Sequence, residues 1–208
     1  MSSLSSYDIG KKSFEGQRYV KDIDAAKKGM ALLLAPLVEF NIKAKKNKEK
    51  QYKPRFIITL GNHEQRIERA IENDPKLEGL IKYEDLPYEN WETIPFLQPI
   101  TINGVVYCHY FPSGILGRPL TSATSMVNKL HMSCVAGHQQ GRQVAYGRKA
   151  NGDIITCIIC GSCYEHDEGY LNQQTNKHWR GLIVLHEVQD GSFDEMFVSL
   201  GYLKEKYG

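Results

Sequence analysis

A chain of 208 residues, 41% hydrophobic and 24% charged, has the make-up of an ordinary globular protein and is long enough to bury about 70% of its unfolded surface in one domain. A formal charge of +2 gives no case for wholesale nucleic-acid affinity, and no apolar run approaches the ~20 residues of a membrane helix, so no membrane partner is expected. The serine-rich start lacks the apolar stretch of a signal peptide, so the cytoplasm is the expected compartment and the five cysteines are expected to be reduced thiols.

Helix formers dominate from about Phe14 to Lys46, where Ala25, Ala26, Met30, Leu33, Leu34 and Leu37 recur at helical spacing, with Pro36 as a kink or break. The basic block Lys43 to Lys50 reads as a solvated helix end before a phosphate contact, because cations suit the negative pole of the helix dipole. Arg55 to Leu60 predicts a strand, and Glu64 to Asn73 a helix stopped by Asp74-Pro75. A short helical piece is expected near Leu77 to Ile81, and an irregular or edge segment from Trp91 to Pro99. Asn103-Gly104 signals a hairpin leading into Val105 to Tyr110. A loop from Phe111 to Leu120 and a helix from Thr121 to Leu130 come next. Strands are then expected near 132–136, 142–148, 153–160, 181–188 and 194–199. Strand and helix alternating early, with hairpins late, indicate an α/β core with an antiparallel second sheet.

Three of these strand ends carry chemistry. Gly61-Asn62-His63-Glu64 comes directly after the apolar run Phe56 to Leu60 and opens a helix, the place where α/β proteins present side chains to ligands. Asn62 offers a hard amide oxygen and His63 an imidazole. His109 ends Val105-Val106-Tyr107-Cys108, and His138 ends Cys134-Val135-Ala136-Gly137. A single strand-end histidine is more often a hydrogen-bonded core residue than a ligand, but three in this order outweigh that reading.

GNHE, a strand-end His, then a strand running into Gly-His resembles the third, fourth and fifth motifs of the calcineurin-like metallophosphoesterases. The stretches AGHQQGRQVAYG, GSCYEHDEGYLNQQTNKHWRGLIVLHEV and GSFDEMFVSL are similar to the members of that family encoded by many bacteriophages, and the resemblance covers residues 1–208 as one domain. It implies an α/β/β/α sandwich. The chain departs from the pattern at its start: it has no Asp-x-His, and its one Gly-Asp, Gly152-Asp153, is a hairpin turn by its chemistry. The opening Met1 to Tyr7 resembles the segment just after Gly-Asp-x-x-Asp in relatives, so an N-terminally incomplete fold is expected, with the missing segment supplied upstream or by a separate fragment in trans.

The resemblance assigns Asn62, His109 and His138 to one divalent metal, manganese, iron or zinc, and His63 to the substrate as proton donor or oxyanion stabiliser. Glu64 then orients that histidine or caps the helix. Gln140 stands where the family places the second His of Gly-His-x-His, and a neutral amide there is a weaker ligand. The implied reaction is hydrolysis of a phosphomonoester or phosphodiester, nucleic acid included, weak or absent in this chain alone for want of a carboxylate ligand. The alternative is a non-catalytic binding or scaffold protein on the same fold.

Three further features invite both a functional and a plain reading. Cys157-x-x-Cys160-x-x-Cys163 has metal-site spacing, yet alternation along a strand points Cys157 and Cys160 to opposite faces, which makes them core residues. Tyr164 to Tyr170 is rich in carboxylates, with Asp167 a stand-in ligand, but its composition suits a surface loop. His178 and Arg180 flank Trp179 and either hold substrate phosphate and base or cap the next strand. Gln139, Arg142 and Gln143 read as ordinary surface or strand positions.

Overall fold

A computed structural model describes residues 1–6, 8–169, 171 and 173–208, apart from the side chain of Ser13. Tyr7 and Tyr170, from the opening segment and the carboxylate-rich loop, lie outside them. The chain is mixed α/β and divides into two compact units, Met1–Ile94 and Pro95–Gly208. Among the described residues, no helix is long and apolar enough to cross a membrane.

The first unit begins with the long helix expected from the periodicity, α1 (Tyr19–Lys46), which runs through Pro36. It stops at Asn47, where Lys48 turns left-handed at φ 59° and the Glu49 N–H reaches back to the Ala44 carbonyl at 2.8 Å. That six-to-one closure usually recruits glycine, since a Cβ is disfavoured at positive φ. Strand β1 (Ile57–Thr59) leads through the GNHE turn into α2 (Arg66–Asn73). The piece expected as helix near Leu77 to Ile81 is a 3-10 turn over Pro75–Leu77, ended by Glu78, whose ψ of 128° leaves the helical region, with Gly79 following at φ 78°. Strand β2 (Glu92–Ile94) pairs with β1 in parallel. The core is small: Ile23 of α1, Ile67 of α2, Ile81 and Leu86. Polar anchors support it, with Asp22 accepting from Ser3 N and Oγ at 2.9 and 2.8 Å and Asp85 accepting from Tyr19 Oη at 2.8 Å.

The second unit is layered. Its sheet has the order β3 (Ile100–Ile102), β4 (Val105–Cys108), β7 (Cys134–Ala136), β9 (Ile154–Ile159) and β8 (Gln143–Arg148). Strands β4, β7 and β9 run parallel; β3 and β8 are antiparallel edges. The loop after β4 carries a two-residue hairpin, β5 (Pro112–Ser113) and β6 (Arg118–Pro119), in place of the unstructured loop that its prolines and glycines suggest. Helix α3 (Ala123–Leu130), capped by Ser122 Oγ on the Ser125 N–H, covers one face with Ala123 and Met126. The hairpin β10 (Gly181–Gln189) and β11 (Ser192–Ser199) covers the other with Ile183, Leu185 and Phe193, and α4 (Leu200–Tyr207) closes the chain. Cys157 lies in the α3-side core and Cys160 packs with the hairpin side, as strand alternation requires.

Two hairpin tips lock together beneath this sheet. Asn103 and Gly104 both have positive φ, as do Asp190 and Gly191, and the Gly191 N–H donates to the Asn103 carbonyl at 2.9 Å. A Cβ on Gly104 would lie 2.4 Å from Gly191 N and 2.5 Å from the Asp190 carbonyl carbon. Only glycine fits such a backbone crossing.

Candidate metal centre and the carboxyl edge of the sheet

Strands β4, β7 and β9 are neighbours running the same way, so the residues just past their ends emerge at one edge. His109 comes directly after Cys108, and His138 comes after Ala136 and one glycine. The structure brings these two histidines together: His109 Nε2 lies 3.2 Å from His138 Nδ1, with the rings 72° apart. The Gly137 N–H holds the edge by donating to the His109 carbonyl at 3.0 Å. Tyr110 approaches the His138 ring with centroids 4.9 Å apart, and Phe96 approaches His109 at 5.9 Å and Tyr110 at 5.6 Å.

His138 is held in a costly conformation. Its φ is 63°, and the Gln139 N–H donates across it to the Gly137 carbonyl at 2.7 Å, a tight three-residue turn. A non-glycine residue there costs of order 1–3 kcal/mol and persists only where its surroundings over-determine it, as functional sites do. Although the residue as a whole is exposed, partial desolvation of its ring among its neighbours lowers the His138 pKa from its ordinary value, which favours the neutral imidazole, the form that binds metal.

Two facing ring lone pairs 3.2 Å apart repel, so a proton on one ring, or a cation in its place, must lie between them. Metal–nitrogen bonds of about 2.0–2.1 Å set neighbouring ligands about 3.3–3.4 Å apart on a tetrahedral ion and about 2.8–3.0 Å apart on an octahedral one. The observed spacing lies between these, so the pair fits as adjacent ligands. It fits as a weak set: among the described residues, no group of three or more His, Cys, Asp or Glu could hold an ion.

No family model, curated protein or solved structure matches this chain.

The other expected site residues are carried by other segments of the chain. Asn62 and His63 belong to the first unit, in the turn between β1 and α2, Asn62 half-buried and His63 exposed. Glu64 caps that turn, its carboxylate accepting from the Gly61 N–H at 2.8 Å, and the Gln65 N–H closes it on the Gly61 carbonyl. Gln140 sits half-buried in the loop after β7, its carbonyl oxygen against Gly161. His178 and Arg180 turn inward: Arg180 donates to Asp167 at 2.9 Å and to the Glu165 and Asn176 carbonyls, while both ring nitrogens of His178 meet acceptors or donors of the chain. Asp167 is thereby the counter-ion of Arg180 and belongs to a fastened surface loop.

Sequence reasoning passes over four residues here. Arg142 looks ordinary in sequence, yet its guanidinium lies between Trp179 and Phe197, 4.4 and 4.3 Å from the ring centroids. Gln143 accepts from the Ala123 N–H at the start of α3, and Gln139 donates to the Leu120 carbonyl at 2.6 Å. Ser162 bonds His178. The only signal for any of these is the density of polar residues just past strand ends.

Proposed function

We propose that this protein is a metal-dependent phosphoester hydrolase with the α/β/β/α architecture of the calcineurin-like metallophosphoesterases, acting on phosphomonoesters or phosphodiesters, nucleic acid among them. The observation that carries the reading is the His109–His138 pair, two imidazoles facing at 3.2 Å on the ends of adjacent parallel strands. The order of motifs along the chain and the α-helix, sheet and hairpin layering of the second unit support it. A divalent ion held there, manganese, iron or zinc, would supply positive charge to phosphoryl oxygens and acidify a water. His109 and His138 would hold it through Nε2 and Nδ1, His138 entering as the neutral imidazole that its lowered pKa favours. His63, exposed on its turn, is suited to donate a proton to a leaving oxygen, and Glu64 keeps that turn closed.

Binding of Mn(II) to the full chain, measured calorimetrically, tests the reading. Weak binding that disappears in both His109→Ala and His138→Ala supports it, and Asn62→Ala reports whether that amide adds to the affinity. Binding unchanged in both histidine variants, or none to the folded wild type, sinks it. A second reading, a non-catalytic binding protein on the same fold, is favoured by the lack of a clustered carboxylate among the described residues, which leaves an ion's charge poorly matched. Manganese bound by both histidines without turnover of an aryl phosphodiester, and with none lost in His63→Ala, selects it.

A further inference from the structure

We propose that Ser162 and His178 form a second reactive site, a nucleophile and base for an uncharged ester, independent of the His109–His138 pair. Ser162 Oγ lies 2.7 Å from His178 Nε2, and His178 Nδ1 lies 2.7 Å from the Thr175 carbonyl oxygen. A carbonyl oxygen only accepts, so Nδ1 carries the proton. Nε2 is then a lone-pair acceptor, and the Ser162 hydroxyl must be the donor. Nucleophile, base and a third group orienting the base are the arrangement that activates a hydroxyl.

The placement is as specific as the bonding. Ser162 stands just past β9, at the sheet edge where β4 and β7 present their histidines. Gly161 makes the turn at φ 77°, where a Cβ would press to 3.1 Å from Arg142 N and 3.2 Å from the Gln140 carbonyl oxygen. Ser162 is further fixed by its bridge to Arg180 and by the Gly181 N–H donating to its carbonyl at 2.9 Å. A buried hydroxyl needs only one acceptor, which any backbone carbonyl supplies; this one has an imidazole whose tautomer is set from behind. Of the neighbouring cations, Arg180 is paired with Asp167 and Arg142 is stacked between two aromatic rings, so neither is aimed at the hydroxyl as an anion clamp would be.

The step balances. Oγ bonds to the ester carbonyl carbon while its proton passes to Nε2. The carbon–alkoxy bond breaks, and the alkoxide leaves with that proton. Water, deprotonated by the same nitrogen, then cleaves the acyl–serine bond and restores the hydroxyl.

Phenylmethylsulfonyl fluoride and p-nitrophenyl acetate test it on the full chain, with a chelator present to silence any metal centre. The fluoride should leave one sulfonyl group on the peptide holding Ser162, absent in Ser162→Ala and formed about 100-fold more slowly in His178→Gln. Acetate hydrolysis should fall in step. If either variant does not fold, the adduct mapped on the wild type decides. No adduct on folded wild type, an adduct confined to another residue, or acetate hydrolysis unchanged in a folded Ser162→Ala overturns the proposal.

Discussion

The two units reach stability by different means. In the second, Val105, Cys157, Ile158 and Ile159 have no exposed surface, and the sheet is covered on both faces. The first gathers one cluster of four buried residues, while its α1 leaves Leu32, Leu33, Val38, Phe40 and Ile42 each more than half exposed. Dense packing makes every methylene count, whereas a unit held by a few contacts and polar anchors has positions where side-chain volume hardly matters. The proposed site residues divide in the same way: His109, His138 and Ser162 follow the ends of parallel strands, and Asn62 and His63 sit on a turn.

The largest effects should come from the second unit. Ile158→Ala removes a fully buried side chain from between the sheet and the β10–β11 hairpin and should cost about 2–5 kcal/mol in urea unfolding. Gly104→Ala should be at least as damaging, because its Cβ meets backbone atoms of a second tight turn that cannot swing aside. A loss under about 1 kcal/mol for either would mean that the layers are looser than the geometry states.

How far the sequence reveals this depends on the kind of interaction. Period-two and period-3.6 patterns place α1, α3 and the strands, because burial of one face is written into local order. The Asn103-Gly104 turn is legible, since its backbone demands those residue types. The pairing of β1 with β2 is not, because Glu92-Thr93-Ile94 looks polar and becomes a strand only through its parallel partner. Helix α4 escapes notice because its exposed face carries no periodic signal. At the site, the meeting of His109 with His138 is expected from motif order; the stacked Arg142 and the Ser162–His178 bond join residues far apart in the chain and leave no local trace.

Alkaline titration should probe the first unit next. Burial, with a nearby carboxylate adding, pushes Tyr19, Tyr83 and Tyr88 of the first unit up to about 12. An acid whose folded pKa is raised binds its proton more tightly when folded. Its stabilisation is therefore whole below about pH 10, where unfolded tyrosine begins to ionise, and fades as pH climbs toward about 12. Tyrosinate absorbance and far-ultraviolet dichroism should show structure lost across that window, and Tyr19→Phe, by shifting the onset upward, assigns part of the loss to the first unit. Loss beginning well below about pH 10 would point to another group.

Two strained residues refine the contrast at about 1 kcal/mol. Lys48 and His138 adopt nearly the same left-handed φ, 59° and 63°, but Lys48 only ends a helix. Lys48→Gly should gain up to about 1 kcal/mol in thermal unfolding and change nothing else. His138→Gly, which removes the Cβ from this turn, should gain a similar amount while losing manganese binding. Equal and silent gains at both positions would make the strain at His138 a mere accident of the turn.

The smallest expected effect is the most discriminating for the first unit. Leu33 is 65% exposed on α1, so Leu33→Ala removes little buried surface, and alanine's better helix propensity offsets part of that loss. The net change should stay within about 0.5 kcal/mol, against several for Ile158→Ala. Leu33 and Phe40 lie two turns apart along one face, so the double variant should be close to additive if water covers that face. A cost of several kcal/mol, or strong coupling between the two sites, would show instead that α1's outward side is buried in solution, and the difference between the units would then be one of partners and not of packing.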